Sequence, residues 1–503
     1  MEDIIGRCYG ETSPGKVSFI SKTVPAVNEY VYFEYNGRTI MGTIDNLLRG
    51  SFTLSEDLLE PDTIGKIVDI EGPVDQYVRG EVTVIGDLEN LEFPRTPAPP
   101  GTEIKRATIE QLNTLFKKDE GIKIGTVLSE PEVDVKIDVN KMVSRHLGIL
   151  AMTGAGKSNT TSVIIDELLS LNATILVFDM HSEYNNTKFT NGPSKSILPK
   201  INPRDLKIGE FKKLCNINEG ATNQESYLRQ ALDYARERCK DGSNDFIEDM
   251  KEFTQKTYIK LEDEKGSKSH KDAVKQVEFK LDDLMIKYKE IFESTDLADL
   301  VSLIEVGHVN IISLSSLDER AADIIVSHVL REILKRRKET QIKGEGTLNF
   351  PIFNIIEEAH ILASQKRNTK SKNIIGKIAR EGRKFGVGLC LVSQSPKSLD
   401  SESLSQLNNL IILRLVEPTD QAHVQKSSES LSEDLLKKLP SLNVGEAVIL
   451  GQMTKVPTLV KIDEFKGKVV GGDLDILKIW KNSVQEKKER VDEQKKMIEL
   501  MDG

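Results

Sequence analysis

The chain has 503 residues, and its 69 Lys and Arg against 79 Asp and Glu give a formal net charge of −10. This length allows about three domains that each bury a core, and the acidic balance excludes a protein that coats nucleic acid over its whole surface. The four cysteines include no Cys-x-x-Cys pair, which argues against a zinc site or a disulfide framework. Because no apolar run approaches about 18 residues and no secretion signal is found, we expect a soluble cytoplasmic protein without membrane spans.

The first 100 residues contain short strand-like segments separated by turn signals. Tyr30 to Tyr35 is aromatic and β-branched, and Asn36-Gly37 predicts a tight hairpin turn because both residues tolerate positive φ. Lys66 to Ile70 and Glu81 to Ile85 are further predicted strands. Together these segments predict a small N-terminal β-barrel that ends at a proline-rich linker, Pro94 to Gly101.

The rest of the chain alternates strand-like and helical segments, which predicts an α/β core with a largely parallel sheet. Residues 203–303 have charged helical periodicity and predict a helical insertion, which divides the core into residues 101–202 and 304–465. Residues 466–503 predict a C-terminal segment with a charged helix that is solvated or braces a subunit. A short helix is predicted at Thr108 to Lys117. The predicted core strands are Lys123 to Leu128, Val133 to Val139, Ala173 to Asp179, Val309 to Leu314, Phe353 to Ile356, Val387 to Val392, Leu410 to Leu413, Gly445 to Leu450 and Thr458 to Ile462.

The segment from Arg145 to Asn159 predicts a phosphate-binding loop, because an apolar strand runs into a small-residue turn and then a helix. In such a loop, backbone N–H groups and the helix N-terminus surround an anion, Lys157 reaches the β- and γ-phosphates, and the Ser158 hydroxyl ligates Mg²⁺. Ala151 replaces the first glycine of the consensus, and a tight turn with an accidental Gly-Lys-Ser is the alternative. The predicted ATP contacts of this loop are Gly154, Ala155, Gly156, Lys157, Ser158 and Asn159.

Two adjacent acids, Glu357 and Glu358, end another predicted strand. At the carboxyl end of a strand beside a phosphate loop, one acid can hold Mg²⁺ and a second can orient or deprotonate the attacking water. We therefore predict that Glu357 is a metal ligand and that Glu358 is catalytic, with two exposed acids capping a strand as the alternative. His360 is expected to be structural or to support the site indirectly.

Two further polar residues follow predicted strands. Asp179 either supports the Mg²⁺ shell or caps a turn, because its strand also ends at the predicted nucleotide crevice. Gln394 is a candidate catalytic residue that senses the γ-phosphate, and a simple Ser-Gln-Ser-Pro turn is its alternative.

The densest basic segment runs from Ser364 to Lys384 and carries eight Lys and Arg residues against the single acid Glu381, a net charge of +7. Such a concentration within an acidic protein favours contact with a phosphate backbone, although a solvated charged face is the alternative. Arg380 or Arg383 is a candidate arginine finger for a neighbour's γ-phosphate, and Arg145 is a candidate second nucleotide contact. The predicted DNA contacts are Lys366, Arg367, Lys370 and Lys372, which lie in the half of the segment that is predicted to be a flexible loop.

These motifs together resemble the HerA family, the archaeal hexameric DNA translocases of the HerA/FtsK branch of P-loop motors. The resemblance runs almost from end to end. It rests on the helical insertion and the N-terminal barrel together with RHLGILAMTGAGKSN from Arg145, VFDMHSEY from Val177, NIIEEAH from Asn354, IAREGRKFGVGL from Ile378, VSQSPKSLD from Val392, EPTD from Glu417 and VGEAVILG from Val444.

The resemblance implies a RecA-like P-loop core, a barrel similar to that of ATP synthase subunits, and ATP with Mg²⁺ as cofactors. It also implies a homo-hexamer that pumps double-stranded DNA, with Arg383 and Arg145 near the nucleotide at subunit interfaces and Val469 and Val470 touching it. A NurA-like nuclease bound to the barrel and the Mre and Rad end-processing complex are the implied partners, in resection of broken DNA ends. A protein-moving ATPase and a nucleotide-gated scaffold are the alternatives, and stimulation of ATP hydrolysis by duplex DNA distinguishes the first function from both.

Overall fold

The computed structural model describes residues 4–54, 60–71, 76–116, 121–243, 245–292, 299–428 and 430–468, together with positions 476 and 480. Val469 and Val470 lie outside the described residues, as does the predicted C-terminal helix apart from those two positions. Among the described helices, none combines the length and the apolar character that crossing a membrane requires.

The N-terminal part forms a closed six-stranded antiparallel barrel in the order β1-β2-β5-β4-β3-β6. Its elements are β1 (Ile4–Thr12), β2 (Lys16–Ser21), β3 (Tyr30–Tyr35), β4 (Arg38–Ser51), α1 (Pro61–Glu71), β5 (Gln76–Asp87) and β6 (Glu103–Arg106). The predicted hairpin between β3 and β4 is confirmed, because Asn36 and Gly37 have φ angles of 51° and 70°.

The predicted strand from Lys66 to Ile70 is wrong, because these residues belong to α1. Pro61 stands at the first position of this helix, where its missing N–H costs nothing, and Asp62 lies in the first turn, where a negative charge is favourable. The β-branched residues between Lys66 and Ile70 suggested a strand, but the helix-start signals at Pro61 and Asp62 predict the observed structure better.

The predicted linker at Pro94 to Gly101 is also wrong, because the barrel is not complete before this segment. β6 lies beyond it and closes the barrel by pairing with both β1 and β3. The segment packs along the barrel: Ala98 is buried, and Tyr35 donates a hydrogen bond to the Thr96 carbonyl oxygen at 2.7 Å. The predicted domain boundary at residue 100 stays a prediction, but the barrel sheet extends past it.

The core contains an 11-stranded sheet in the order β11-β12-β10-β13-β14-β9-β15-β16-β17-β7-β8, parallel from β11 to β15 and antiparallel from β15 onward. Each predicted core strand is present. The elements before the insertion are α2 (Ile109–Phe116), β7 (Gly121–Val127), β8 (Glu130–Asp138), α3 (Val139–Arg145), β9 (Leu147–Leu150), α4 (Lys157–Leu169), β10 (Ile175–Asp179) and β11 (Ser194–Ile197).

The insertion is helical and packs on one face of the sheet, where it shares a hydrophobic cluster with α9 and α11. Its helices are α5 (Ile208–Leu214), α6 (Thr222–Lys240), α7 (Phe246–Asp263) and α8 (Lys268–Tyr288). The elements that follow are β12 (Val309–Ser313), α9 (Glu319–Lys343), β13 (Ile352–Ile356), α10 (Ala359–Leu362), α11 (Lys370–Glu381), β14 (Val387–Ser393), α12 (Ser401–Ser405), β15 (Asn409–Leu413), α13 (Pro418–Ser427), α14 (Glu433–Lys438), β16 (Glu446–Gly451) and β17 (Thr458–Ile462).

The order of the parallel strands decides where the site lies. β13, β14 and β9 are neighbours, so the segments that follow their carboxyl ends meet at one edge of the sheet. The phosphate loop, the pair of acids and the Ser-Gln-Ser-Pro segment follow these three strands, and we call this edge the loop edge.

Candidate active site

The phosphate loop joins β9 to α4 at the loop edge. Gly154 and Gly156 have φ angles of 78° and 103°, and a Cβ atom on Gly156 would lie 3.2 Å from the backbone nitrogen of Gly445. Glycine is required at such positions because positive φ and close backbone approach both disfavour a side chain. The start of the loop is held from both sides: the Ala151 N–H donates to the Ser393 carbonyl oxygen of β14 at 3.2 Å, and the Met152 N–H donates to the carbonyl oxygen of Arg414, just after β15, at 3.0 Å.

Lys157 at the start of α4 contacts both predicted acids. Its Nζ lies 3.3 Å from Glu357 Oε2 and 2.5 Å from Glu358 Oε1. The acids are 3% and 1% exposed, so the alternative of two exposed carboxylates is wrong. Burial alone would lower the pKa of Lys157, but the two carboxylates outweigh burial and raise it.

Glu357 is held by a second group from the loop that follows β10. The buried Tyr184 hydroxyl donates to Glu357 Oε1 at 2.6 Å, opposite the bond from Lys157. Burial raises the pKa of Glu357, while Lys157 and the Tyr184 hydroxyl oppose that rise. Sequence analysis did not select Tyr184, and the only signal available was its place five residues after the end of a predicted strand.

Glu358 has a left-handed backbone conformation, with φ 46° and ψ 44°. A non-glycine residue in this region carries strain that the surrounding contacts must compensate, and such residues cluster at active sites. Gln394 Nε2 donates to Glu358 Oε1 at 3.0 Å, and Thr153 in the phosphate loop donates to Gln394 Oε1 at 2.8 Å. Gln394 therefore connects the phosphate loop to the acid that is predicted to act on water.

His360 lies beside Glu358, with 3.2 Å between His360 Nδ1 and Glu358 Oε2. Burial lowers the pKa of His360, and the Glu358 carboxylate only partly opposes this effect. Its position agrees with the predicted supporting role.

The predicted magnesium ligands, Ser158 and Glu357, offer the hard oxygen atoms that Mg²⁺ prefers. Two further carboxylates, those of Glu183 and Glu358, lie near Lys157, and the buried Oε2 of Glu183 has no hydrogen-bond partner among the described residues. Three carboxylates around one lysine leave an excess of negative charge that a divalent cation can balance. The residues present therefore fit Mg²⁺, although the described ranges hold no cluster of three or more His, Cys, Asp or Glu that could bind a metal unaided. Glu183 was missed by the sequence analysis.

Asp179 ends β10 at the same edge, but its carboxylate accepts hydrogen bonds from the turn that follows it. The N–H groups of His181, Glu183 and Tyr184 donate to it at 3.2, 3.1 and 2.9 Å, and the side chain is fully buried. These are the contacts of a turn cap, which was the alternative interpretation. A role in the Mg²⁺ shell stays a prediction.

Arg145 and Arg383 lie at the opposite edge of the sheet. Arg145 ends α3 just before β9, and Arg383 precedes β14, so both stand at amino ends of strands whose carboxyl ends form the loop edge. Within the described ranges, neither side chain makes a hydrogen bond or an ion pair. Arg380, by contrast, pairs with Glu402 at 2.5 Å, which leaves Arg383 as the better candidate finger.

The basic segment is less uniform than predicted. Lys370 and Lys372 belong to the first turn of α11 and not to a flexible loop, and Lys372 Nζ donates to the Ser364 carbonyl oxygen at 3.1 Å. Arg367 forms an ion pair with Glu319. Lys366 is exposed and, within the part of the chain that the structure describes, has no partner.

The side chain of Asn159 does not face the phosphate loop. Its amide donates to the Asp463 carbonyl oxygen and accepts from the Phe465 N–H, both at 2.9 Å. The segment after β17 continues to Lys468, which pairs with Lys188 in an antiparallel bridge. Lys468 is the last residue described before Val469 and Val470.

The fold and the site define a P-loop ATPase, an enzyme that hydrolyses ATP. The chain is 41% identical over 489 residues to a probable helicase of Methanocaldococcus jannaschii, covering 95% of this chain and 94% of the relative. It is 38% identical to the DNA double-strand break repair helicase HerA of Sulfurisphaera tokodaii, covering 97% of this chain and 99% of the relative. The chain belongs to the HerA helicase family.

Family models agree with this assignment, and solved structures agree with the fold. Residues 5–90 match the HAS barrel domain, residues 122–333 match the central domain of helicase HerA, and residues 339–465 match the helicase HerA-like C-terminal domain. The structure of VirB4 of Thermoanaerobacter pseudethanolicus is similar with a TM-score of 0.51 at 15% identity, covering 69% of this chain and 98% of that chain. The plasmid coupling protein TrwB in complex with a non-hydrolysable ATP analogue is similar with a TM-score of 0.50 at 14% identity, covering 74% and 95%. At these identities the structures support the fold alone.

Proposed function

We propose that this protein is an ATP-driven translocase and helicase of double-stranded DNA that works as a homo-hexameric ring in the repair of double-strand breaks. The observation that carries the proposal is the separation of the site's two halves. Lys157 and the acids lie at the loop edge, whereas Arg145 and Arg383, which have no partner among the described residues, lie at the opposite edge. β9 alone, with four residues, separates the two edges by about 13 Å.

This separation favours a neighbouring copy as the source of the arginines. A heterologous contact that places the arginine edge of one subunit against the loop edge of the next repeats around a closed ring. An arginine that arrives in this way neutralises charge on the transferring phosphoryl group. Hydrolysis then depends on contact between subunits, which is what a rotary or sequential motor requires.

The chain's own residues divide the chemistry at the loop edge. Lys157 exchanges its carboxylate partners for the β- and γ-phosphates, and Glu358 orients the attacking water and accepts its proton. Gln394 contacts both Glu358 and the phosphate loop, so it is placed to report the γ-phosphate to the segments after β14. Ser158 and Glu357 would hold Mg²⁺, which would supply positive charge to the phosphate oxygens.

We assign the contact with DNA to the basic segment, Ser364 to Lys384. Lys366 is the best-supported residue for this contact. Its side chain is exposed in the loop that follows the catalytic strand β13 and α10, so movement of Glu358 is transmitted to it through a short stretch of chain. Backbone phosphates attract such a lysine without regard to sequence, as a translocase requires. The N-terminal barrel is the proposed docking site for a NurA-like nuclease, and the Mre and Rad complex is a further proposed partner.

The test is steady-state ATP hydrolysis by the purified protein with and without linear duplex DNA. Glu358→Gln keeps the size of the side chain but removes the base, so hydrolysis should fall by about 100-fold or more. Lys366→Ala should reduce DNA stimulation and leave DNA-independent hydrolysis intact. Lys377→Ala is the matched control, because it removes an equally exposed lysine from the same basic segment, on α11 and not in the loop.

Hydrolysis that does not respond to DNA would contradict the translocase and favour a protein-moving ATPase. Absence of hydrolysis in the wild type, with nucleotide binding intact, would favour a gated scaffold. Equal effects of Lys366→Ala and Lys377→Ala would reject Lys366 as a specific track contact.

A further inference from the structure

His146 lies between the two arginine-bearing segments, and its ring is hydrogen-bonded to two neighbouring elements, β14 and α11. Its imidazole Nδ1 accepts the Leu389 N–H at the start of β14, at 3.1 Å. Its Nε2 lies 3.1 Å from the Ala379 carbonyl oxygen in the last turn of α11. Since Nδ1 is an acceptor, Nε2 carries the proton and donates it to Ala379, which defines a single neutral tautomer.

The surroundings of the ring support this assignment. His146 is 2% exposed, and burial lowers its pKa to about 4, so the imidazole is neutral at physiological pH. Gly382 packs against the ring, because a Cβ atom there would lie 3.5 Å from His146 Cε1 and 2.4 Å from the Val387 carbonyl oxygen. No larger residue fits between the ring and β14 without moving the chain that leads to Arg383.

The backbone of His146 is equally constrained. Its φ angle is 65°, an uncommon value for a non-glycine residue, and Asn409 Nδ2 donates to its carbonyl oxygen at 2.9 Å. The preceding carbonyl oxygen, that of Arg145, accepts the Asn408 N–H at 3.0 Å. The position from which the Arg145 side chain leaves the backbone is therefore determined by the same cluster of contacts.

We propose that His146 is a positioning residue for the active site of the neighbouring subunit, where it sets the spacing between Arg145 and Arg383. Arg145 is its neighbour in the chain, and Arg383 follows its α11 partner, Ala379, by four residues. One rigid, buried ring thus links both arginines to β14. The inference rests on the proposed ring, and it assigns a function to a side chain that contacts no phosphate-loop residue.

Two substitutions of His146 test the hydrogen bonds of its ring. His146→Phe keeps a flat buried ring but removes both hydrogen bonds, so the turnover rate should fall by about 10- to 100-fold, because small misplacements of a charge-stabilising group are costly. The KM for ATP should change less than the turnover rate. His146→Gln retains an N–H donor that can reach the Ala379 carbonyl oxygen, so its loss should be smaller.

Subunit mixing tests whether His146 acts on its own subunit or on the next one. Lys157→Ala inactivates the loop edge of a subunit but leaves its arginines intact, whereas His146→Phe is expected to do the reverse. When the two impaired proteins are mixed, about one quarter of the interfaces combine an intact loop edge with intact arginines. Hydrolysis should therefore rise above that of either protein alone, to about a quarter of the wild-type rate.

A mixture of Arg383→Ala with Lys157→Ala is the control. If this control stays inactive, the proposed ring arrangement itself fails. If the control regains activity and the His146→Phe mixture does not, His146 acts within its own subunit and the inference is overturned. Should His146→Phe not fold, the same mixing with His146→Gln decides the question, since rescue of its partial defect is expected only if it acts on the neighbour.

Discussion

Lys157 supplies the positive charge that balances the two acids of the site. Its ammonium group is shared by the buried carboxylates of Glu357 and Glu358. In the proposed mechanism a nucleotide competes with these carboxylates for the lysine, and the acids then remain buried without their main cation. Mg²⁺ bound together with the nucleotide would compensate for that loss, which is a physical reason to propose that the two bind together.

The titration of His146 gives a prediction about stability against pH. The unfolded residue titrates near 6.5 and the folded residue at about 4, so between these values only the unfolded chain takes up a proton. The contribution of His146 to stability is complete above pH 6.5 and is lost as pH falls toward 4. The difference between the two pKa values corresponds to about 3 kcal/mol in the free energy of unfolding.

The measurement compares the melting temperatures of the wild type and His146→Gln from pH 7 to pH 4. Glutamine does not titrate, so the wild type should lose more stability than the variant and the two curves should converge at low pH. Subtracting the two curves removes the effects of the carboxyl groups, which titrate in both proteins. Curves that stay parallel across this range would show that His146 is not the buried neutral group described above.

At the scale of elements, α11 connects the two edges of the sheet. It begins next to the loop that carries Lys366 and ends just before Arg383. Its first turn is capped from another helix: Asp323 of α9 accepts the N–H groups of Lys370 and Ser371 at 2.9 and 2.8 Å. The N-cap residue Thr369 makes no cap hydrogen bond of its own, so Asp323 replaces a local cap.

Removal of this cap should loosen the start of α11. Asp323→Ala leaves two N–H groups and the Lys213 ammonium without their carboxylate, and a loss of about 2 kcal/mol is expected. Hydrogen exchange should become faster at the amides of residues 370–374. Ser432→Ala is the control, because it removes a cap from α14 by the same chemistry. Unchanged exchange in α11 would reject the capping role of Asp323.

Elements with a strong local signal could be predicted from the sequence. The six inner parallel strands, from β12 to β15 in the sheet order, are largely apolar runs buried on both faces, so their carboxyl ends located Lys157, Glu357, Glu358 and Gln394 correctly at one edge. The parallel edge strand β11, with the polar sequence SKSI, was not predicted. The cap formed by Asp323 could not be predicted, because the helix and its cap are 47 residues apart in the chain. β6 is only four residues long, and its place in the barrel depends on partners near residues 4 and 31.

At the scale of the whole molecule, barrel and core share a hydrophobic cluster. Tyr30 of β3 packs edge to face on Phe116 of α2, with 5.5 Å between ring centroids. Lys438 Nζ at the end of α14 lies 3.4 Å from Asp45 Oδ1 of β4. A nuclease docked on the barrel, as proposed, would therefore bind a body that packs directly against the ATPase core.

The closure of the barrel by β6 predicts which N-terminal fragment folds. A fragment of residues 1–108 keeps β6, whose Ile104 is fully buried in the barrel core. A fragment of residues 1–101 has the predicted linker but lacks β6, so β1 and β3 are left as open edges that invite aggregation. The longer fragment should melt cooperatively in circular dichroism, and the shorter one should show no cooperative transition or should precipitate.

Ile104→Ala in the longer fragment is the matched control, and its stability should lie between those of the two fragments. The substitution keeps every backbone pair of β6 and removes only buried apolar volume. It should fold with a stability lower by about 2 to 4 kcal/mol. If the shorter fragment melted at the same temperature as the longer one, β6 would be dispensable and the barrel would be complete before the prolines, as a linker at Pro94 to Gly101 requires. If only the longer fragment folds, the prolines lie inside the barrel domain, and a nuclease-binding assay on the isolated barrel must use the fragment that includes β6.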